Sequence, residues 1–244
     1  MSYREYSPHP ALSNYIDAYW TINTGNIGRP KLHRILPDAC TDIIFNKGNT
    51  IYRPDKRQAM LSEESYLVGT MTIFTETMES SSNSILGIRF KPGAITAFYP
   101  LDLQEITDTA VSYKDNVLRE IVYQSTDLLN ELNLYFLKKL PSQPMSIAAV
   151  LAEIHRSSGQ VKVAELIKKH AMSERKLERL FNKEVGVSVK AMSRLIRFKH
   201  ALEVIQNKTA EKSLSDIAYT TGYYDQAHLC NEIKAYTGFT PSQL

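Results

Sequence analysis

A five-point internal repeat at an offset of 52 residues constrains this 244-residue chain more than any other feature. Ser173, Leu177, Phe181, Gly186 and Ser188 recur as Asp225, Leu229, Ile233, Gly238 and Thr240. Each match has a mechanical meaning. Ser173 and Asp225 carry side-chain oxygens that accept from the first free amides of a helix. Leu177 with Phe181, and Leu229 with Ile233, stand four apart, so each pair predicts the buried stripe of one helix. Gly186 and Gly238 suit the left-handed position that stops a helix. Ser188 and Thr240 suit the cap of a following helix, with Pro241 at the favoured first position.

A short amphipathic stretch and a tight turn precede each unit. In the first, Val163, Leu166 and Ile167 lead to His170-Ala171-Met172; in the second, Leu214, Ile217 and Ala218 lead to Thr221-Gly222-Tyr223-Tyr224. Helix, short turn, capped helix is the helix-turn-helix layout, whose second helix enters a major groove. Tandem structural repeats are the alternative. They have no need of a matched cap, buried pair and stop in only two copies, joined by one long helix expected from Val189 to Gln206.

The stripes leave outward faces of defined chemistry. On the first helix Arg175, Glu178, Arg179 and Asn182 lie opposite the apolar side. Arginine can bond two atoms of guanine, and glutamate can accept from cytosine. Lys176 and Lys183 flank this face and can hold phosphates, and the capping Ser173 belongs to the same candidate set. The competing reading is a solvated face with intrahelical charge pairs of ~0.2–0.5 kcal/mol each. The second helix offers Gln226, Ala227, His228 and Asn231, which can bond adenine or touch a thymine methyl. It has no arginine there and is expected to be the weaker reader.

Charge divides along the chain in the same sense. Residues 1–144 carry 14 Lys/Arg against 16 Asp/Glu, whereas residues 145–244 carry 15 against 10, so the second part is the one suited to phosphates. With 43% apolar and 23% charged residues the composition is that of a globular protein. No apolar run approaches the ~20 residues of a membrane span, and the start Met1-Ser2-Tyr3-Arg4-Glu5-Tyr6 lacks a signal-peptide layout. Cys40 and Cys230 lie far apart, which indicates neither a disulfide framework nor a cysteine-rich zinc site. The expectation is a cytoplasmic protein without a membrane partner.

Pro141-Ser142-Gln143-Pro144 reads as an extended linker, and everything beyond it as helix. The first part is mixed. Leu12, Tyr15, Ile16 and Tyr19 predict one face of a short helix. Thr41–Phe45 and Thr50–Arg53 flank Asn46-Lys47-Gly48-Asn49 and predict a hairpin. Leu86, Ile88 and Phe90 alternate as a strand after the turn at 79–83, with residues 66–78 expected as the strand before it. From about 115 to 140, Leu118, Ile121, Val122, Leu129, Leu132, Phe136 and Leu140 form a helical stripe. Packing within the domain and a dimer seam both explain it; packing is the commoner case.

The C-terminal residues resemble the AraC family of regulators. Ser173-Glu-Arg175-Lys-Leu177-Glu-Arg179-Leu-Phe181 is similar to the family's S-x-R-x-L-x-R-x-F. Gly222-Tyr223-Tyr-Asp225-Gln226-Ala-His228-Leu229, through Thr237-Gly238-Phe-Thr240-Pro241, is similar to G-[FY]-x-D-Q-x-H-[FL]…T-G-x-[ST]-P. The joining stretch from Arg194 through Arg197, Phe198 and Lys199 to Leu202 fits as well, so the likeness covers 161–244. Two positions depart from the pattern: Asn231 stands where the family usually has Arg, and Ile233 where it often has Phe. The first part resembles a sensor-like domain of one branch, through His33-Arg34-Ile35-Leu36-Pro37-Asp38, Asp42-Ile43-Ile44-Phe45 and Gly87-Ile88-Arg89-Phe90-Lys91-Pro92-Gly93.

What the resemblance implies is an α+β chain: a β-rich, cupin-like domain over 1–140, a linker at 141–144, and an all-α DNA-binding domain with two helix-turn-helix units over 145–244. Double-stranded DNA is the expected partner, with a small-molecule effector and a homodimer left open. The alternative is a protein-interaction module with a degenerate second unit. No catalytic residue and no cofactor are expected. His33, Asp38, Cys40 and Asp42 are close in sequence, but Asp38 after Pro37 suits a turn cap and Cys40 suits a core, so no metal site is expected. Arg89 and Lys91 fall by alternation on the outer side of their strand, where a solvated face is expected. Tyr19 and Trp20 suit either a pocket or the core, the core being commoner.

Overall fold

The computed structural model describes residues 2–25, 31–52, 59–79, 82–142, 145–207 and 213–244. Part of the expected linker (Gln143, Pro144), Arg53 of the expected hairpin, and Ser80 and Ser81 of the expected turn lie outside the described residues. The strands are β1 (Ser2–Tyr6), β2 (Ile16–Asn23), β3 (Lys31–Ile35), β4 (Thr41–Asn46), β5 (Ile51–Tyr52), β6 (Ala59–Met60), β7 (Ser65–Val68), β8 (Thr75–Glu79), β9 (Ser84–Phe90) and β10 (Ala110–Ser112). They form two antiparallel sheets, ordered β1-β2-β9-β4-β7-β10 and β3-β8-β5-β6. The helices are α1 (Asn116–Gln124), α2 (Leu128–Lys138), α3 (Ala148–Arg156), α4 (Val163–Lys169), α5 (Glu174–Val185), α6 (Val189–Gln206), α7 (Leu214–Thr220) and α8 (Gln226–Thr237). The chain is thus β-rich first and helical after, as expected.

Alternation sorts the larger sheet cleanly. Ile43 and Phe45, Leu67, and Leu86, Ile88 and Phe90 point to one side, where they bury against Leu118 and Val122 of α1 and Leu132 and Phe136 of α2. Phe136 is the hub, with ring centroids 5.6 Å from Phe90, 5.3 Å from Phe98 and 5.0 Å from Tyr135, all edge-on. The stripe over 115–140 is split over two helices, with Leu118, Val122, Leu132 and Phe136 in the core and Leu140 exposed beyond α2; the full burial of Leu132 and Phe136 in their own domain argues against a dimer seam through them. The opposite side of the sheet carries Trp20, Ile22, Asp42, Ile44, Tyr66, Val68 and Arg89, and faces the smaller sheet across a cavity.

Three local expectations fail for one reason: strand partners are set far along the chain. Leu12, Tyr15, Ile16 and Tyr19 do not form a helix; a single 3-10 turn at Pro10–Leu12 gives way to β2, whose β-branched and aromatic run pairs with β9. Residues 41–52 do not form a hairpin, since β4 pairs with β7 and β9 while β5 joins β6 and β8 in the other sheet. Asn46 holds the crossing, its amide donating to the carbonyls of Asn49, Met60 and Leu61. Residues 66–78 are two strands in different sheets, not one.

A second buried cluster organises the helical part, from Ile147 and Ile154 through Leu177, Phe181, Met192 and Phe198 to Leu229 and Ile233. One outsider belongs to it. Ala39, in the loop between β3 and β4, is fully buried there at φ 66°, a left-handed backbone that costs a non-glycine residue roughly 1–3 kcal/mol. The strand-rich part thus plugs the helical part's core.

Candidate nucleic-acid interface

The repeat is expressed as two matched units. Ser173 accepts from the amide of Lys176 and opens α5; Asp225 accepts from the amide of His228 and opens α8. Leu177 and Phe181, and Leu229 and Ile233, are buried. Gly186 (φ 85°) and Gly238 (φ 73°) end the helices in the left-handed region, where a side chain would be strained. Ser188 caps α6, which spans 18 residues between the units, and Thr240 forms a reciprocal cap with Gln243 over a terminal 3-10 turn.

On α5 the side chains of Arg175, Lys176, Arg179 and Lys183 are exposed, and Glu178 and Asn182 half-buried. Ser173 is exposed at the helix's leading end. On α8 Gln226, Ala227, His228 and Asn231 are exposed. The Gln226 side chain accepts from the Ser215 hydroxyl on α7 at 3.0 Å, and the His228 ring meets the edge of Tyr223 at 5.2 Å, so two of these groups are held in place by neighbours. Two exposed tyrosines flank the second unit: Tyr224 (92% exposed), just before the cap, and Tyr219 (86%) on α7. The helix pattern does not mark them, since Tyr224 falls in the turn before the Asp225 cap and Tyr219 near the end of α7.

Glu232 fixes α8 to the long helix. It is buried, and its carboxylate accepts from Arg194 Nε at 2.7 Å and faces Arg197 Nη2 at 3.5 Å. Two cations that the motif places on α6 therefore help to orient α8, Arg197 from a largely covered side chain and Arg194 from one that stays exposed.

The far end of each candidate reading helix docks on the strand-rich domain. Thr70 Oγ1 donates to the carbonyl of Val185 at 2.5 Å, and Thr107 Oγ1 to that of Gly186 at 2.6 Å, at the end of α5. At the end of α8, Arg34 Nη1 donates to the carbonyl of Thr237 at 2.7 Å. A guanidinium at a helix C-terminus meets the negative end of its dipole. Arg34 is itself gripped by Glu76 and lies 4.4 and 4.3 Å from the ring centroids of Phe74 and Phe239.

Arg34 also lines the cavity between the sheets, a space of about 580 Å³. Its walls are largely apolar, with Ile22, Ile35, Ile44, Ile51, Met60 and Val68 among them. Its polar end corrects one expectation and resolves another. Arg89 is not on a solvated face: the second sheet covers that side, and Arg89 Nε stands 3.5 Å from Asp42 and 3.6 Å from Asp38. Trp20 is buried and also forms a wall of the cavity, donating from Nε1 to Asp42 at 2.7 Å, while Tyr19 lies in the core on the other side of the sheet. Gly87 is required beneath it, because a Cβ there would lie 1.9 Å from the indole. Cys40 also lines the cavity, and Asp38 caps the turn before it as expected. Among the described residues no cluster suited to a metal ion occurs, and no helix is long and apolar enough to cross a membrane.

Burial drives the Asp42 carboxyl up to about 7, with Arg89 opposing and Asp38 adding to the rise. For Arg89 burial disfavours the charge, but Asp42 and Asp38 outweigh it and hold the guanidinium charged. A carboxyl raised in the folded state keeps its proton where the unfolded chain has lost it, so stability falls as pH rises from about 4 to about 7. Asp42→Asn removes that loss. Urea unfolding of both proteins is expected to show the variant gaining on the parent between pH 5 and pH 8, by at most on the order of 3 kcal/mol. A difference independent of pH, or one that shrinks with rising pH, would refute the assignment.

A family model described as a helix-turn-helix domain matches residues 166–244, and one described as a domain of unknown function, DUF6597, matches residues 4–112. No curated protein matches the sequence. Among solved structures the chain is similar to ToxT from Vibrio cholerae. An apo variant is 13% identical with a TM-score of 0.49, the match covering 93% of this chain and 95% of that one. ToxT from strain O395 is 11% identical with a TM-score of 0.49, covering 92% and 95%. An unsaturated fatty acid-bound wild-type form is 10% identical with a TM-score of 0.48, covering 98% and 96%.

Proposed function

We propose that the chain is an AraC-type DNA-binding transcription regulator, a reading supported by the helix-turn-helix family model over residues 166–244, and that α5 and α8 each read one of two adjacent major grooves. The observation that carries this reading is the pair of matched helices, each capped at its leading end and exposed along one polar face, joined by α6. Arg175 and Arg179, with Glu178 and Asn182, are assigned to base edges from α5, and Lys176, Lys183 and Ser173 to the backbone. Gln226, Ala227, His228 and Asn231 take the second groove, with Tyr224 and Tyr219 against the adjoining backbone. The two buried clusters support a division into residues 1–140 and 145–244, with 141–144 connecting them. We assign the chain no catalytic step.

The strand-rich domain is proposed as a sensor whose cavity takes a small molecule. Arg34 supports this role, since one side chain both lines the cavity and holds the end of α8. Footprinting of the full chain on a selected site tests the DNA reading. Two protected major-groove segments are expected, centred ~10–10.5 base pairs apart on one face of the duplex. Protection of a single groove would show that one unit does not read.

A further inference from the structure

We infer that the cavity between the two sheets is built for an apolar molecule carrying a cationic, amine-type head group, seated against Asp42 and Asp38. The inference deepens the sensing role proposed above and rests on it for its regulatory meaning, though not for binding itself. Three carboxylates, Glu5, Asp38 and Asp42, surround a single guanidinium, Arg89, at separations of 3.4–3.6 Å. The group is short of positive charge and loosely bonded. Arg89 Nε is buried without a hydrogen-bond acceptor. Asp42 is all but 14% buried, and among the described residues Trp20 alone donates a hydrogen bond to its carboxylate.

Asp42 and Asp38 each receive one hydrogen bond, from Trp20 and from the Cys40 amide; covered carboxylates with so few donors are costly, and a ligand N–H cation would supply further donors and the missing charge. An anionic head would instead be a fourth negative group at this end. The other charged walls do not change the balance. Arg34 is committed to Glu76 and the Thr237 carbonyl, and Asp108 accepts from the amide and hydroxyl of Thr72. Lys199 reaches only the backbone carbonyl of Asp38, at 3.5 Å. The remaining walls are aliphatic, and about 580 Å³ is within the range of small-molecule sites.

Trp20 makes the test direct, because it is the only tryptophan of the chain and stands at the polar end of the cavity. Full-length protein at pH 8 is titrated with n-octylammonium, and with octanoate and 1-octanol as matched anionic and neutral probes, following Trp20 emission without DNA. Saturable binding of octylammonium is expected, at least tenfold tighter than either control. Asp42→Asn and, separately, Asp38→Asn are each expected to weaken it at least tenfold with unchanged circular dichroism. Asp38→Asn keeps the acceptor of the turn at Cys40, so it remains informative if Asp42→Asn does not fold. Octanoate binding more tightly than octylammonium, equal binding of all three, or an octylammonium affinity that both variants leave unchanged would overturn the inference. Footprinting does not enter this readout, so failure of the DNA reading and failure of the cavity assignment are separately visible.

Discussion

Replacing Phe136 by Ala is expected to destabilise the strand-rich domain by about 3–5 kcal/mol, the range for deleting a buried aromatic ring. The ring is fully buried, meets Phe90, Phe98 and Tyr135 edge-on, and joins α2 to the larger sheet. With ordinary domains stable by only 5–15 kcal/mol, this is a large fraction of the whole. Trp20 again isolates the relevant part, since urea unfolding followed by its emission reports the sheets rather than the helical domain. The Trp20 midpoint should fall sharply and should not depend on protein concentration. A variant that keeps its midpoint but changes its state of association would restore the dimer seam that the burial of Leu132 and Phe136 argues against.

Arg179→Ala is expected to weaken binding to a specific site by ~1–3 kcal/mol, the worth of one good bidentate base contact. Asn231→Ala should cost less, because α8 presents no arginine on its exposed face and Asn231 makes at most an amide contact. The two variants are titrated on one duplex at one salt concentration, since affinity for DNA has no meaning without it. A larger loss for Asn231→Ala would reverse the ranking and make α8 the principal reader.

The helical half was legible because its signals are local. A cap, a pair four apart and a glycine stop lie within fifteen residues of one another, and Ser173, Leu177, Phe181 and Gly186 sit in the structure where that logic puts them. The strands were less legible because their partners are distant. Ile51 and Tyr52 follow β4 directly and yet pair with Met60, Ala59 and Met78 in the other sheet. Arg89 shows a subtler limit. Alternation placed it on the side away from Ile88, correctly, but parity along one strand does not tell what covers that side. Nothing local marks Arg34 as a ligand of Thr237, 203 residues later, or Ala39 as a plug in the helical core.

The docking of α5 and α8 by their far ends constrains the motion of the two helices proposed to read DNA. Two readers joined by α6 alone form an open chain, free to change their separation and relative phase. Fastened also through Thr70 and Thr107 at one end and Arg34 at the other, they become members of a closed linkage whose frame is the pair of sheets. In such a linkage the pitch between readers is set by the frame, and DNA whose groove spacing differs must deform to fit. Smooth bending of a site by tens of degrees costs of order 1–6 kcal/mol, comparable with the contribution of a hydrogen bond from a charged group, about 1.5–3 kcal/mol. Under that load the joint at Arg34 is the one coupled to the cavity, because the side chain that holds the Thr237 carbonyl and stacks on Phe239 also lines that space.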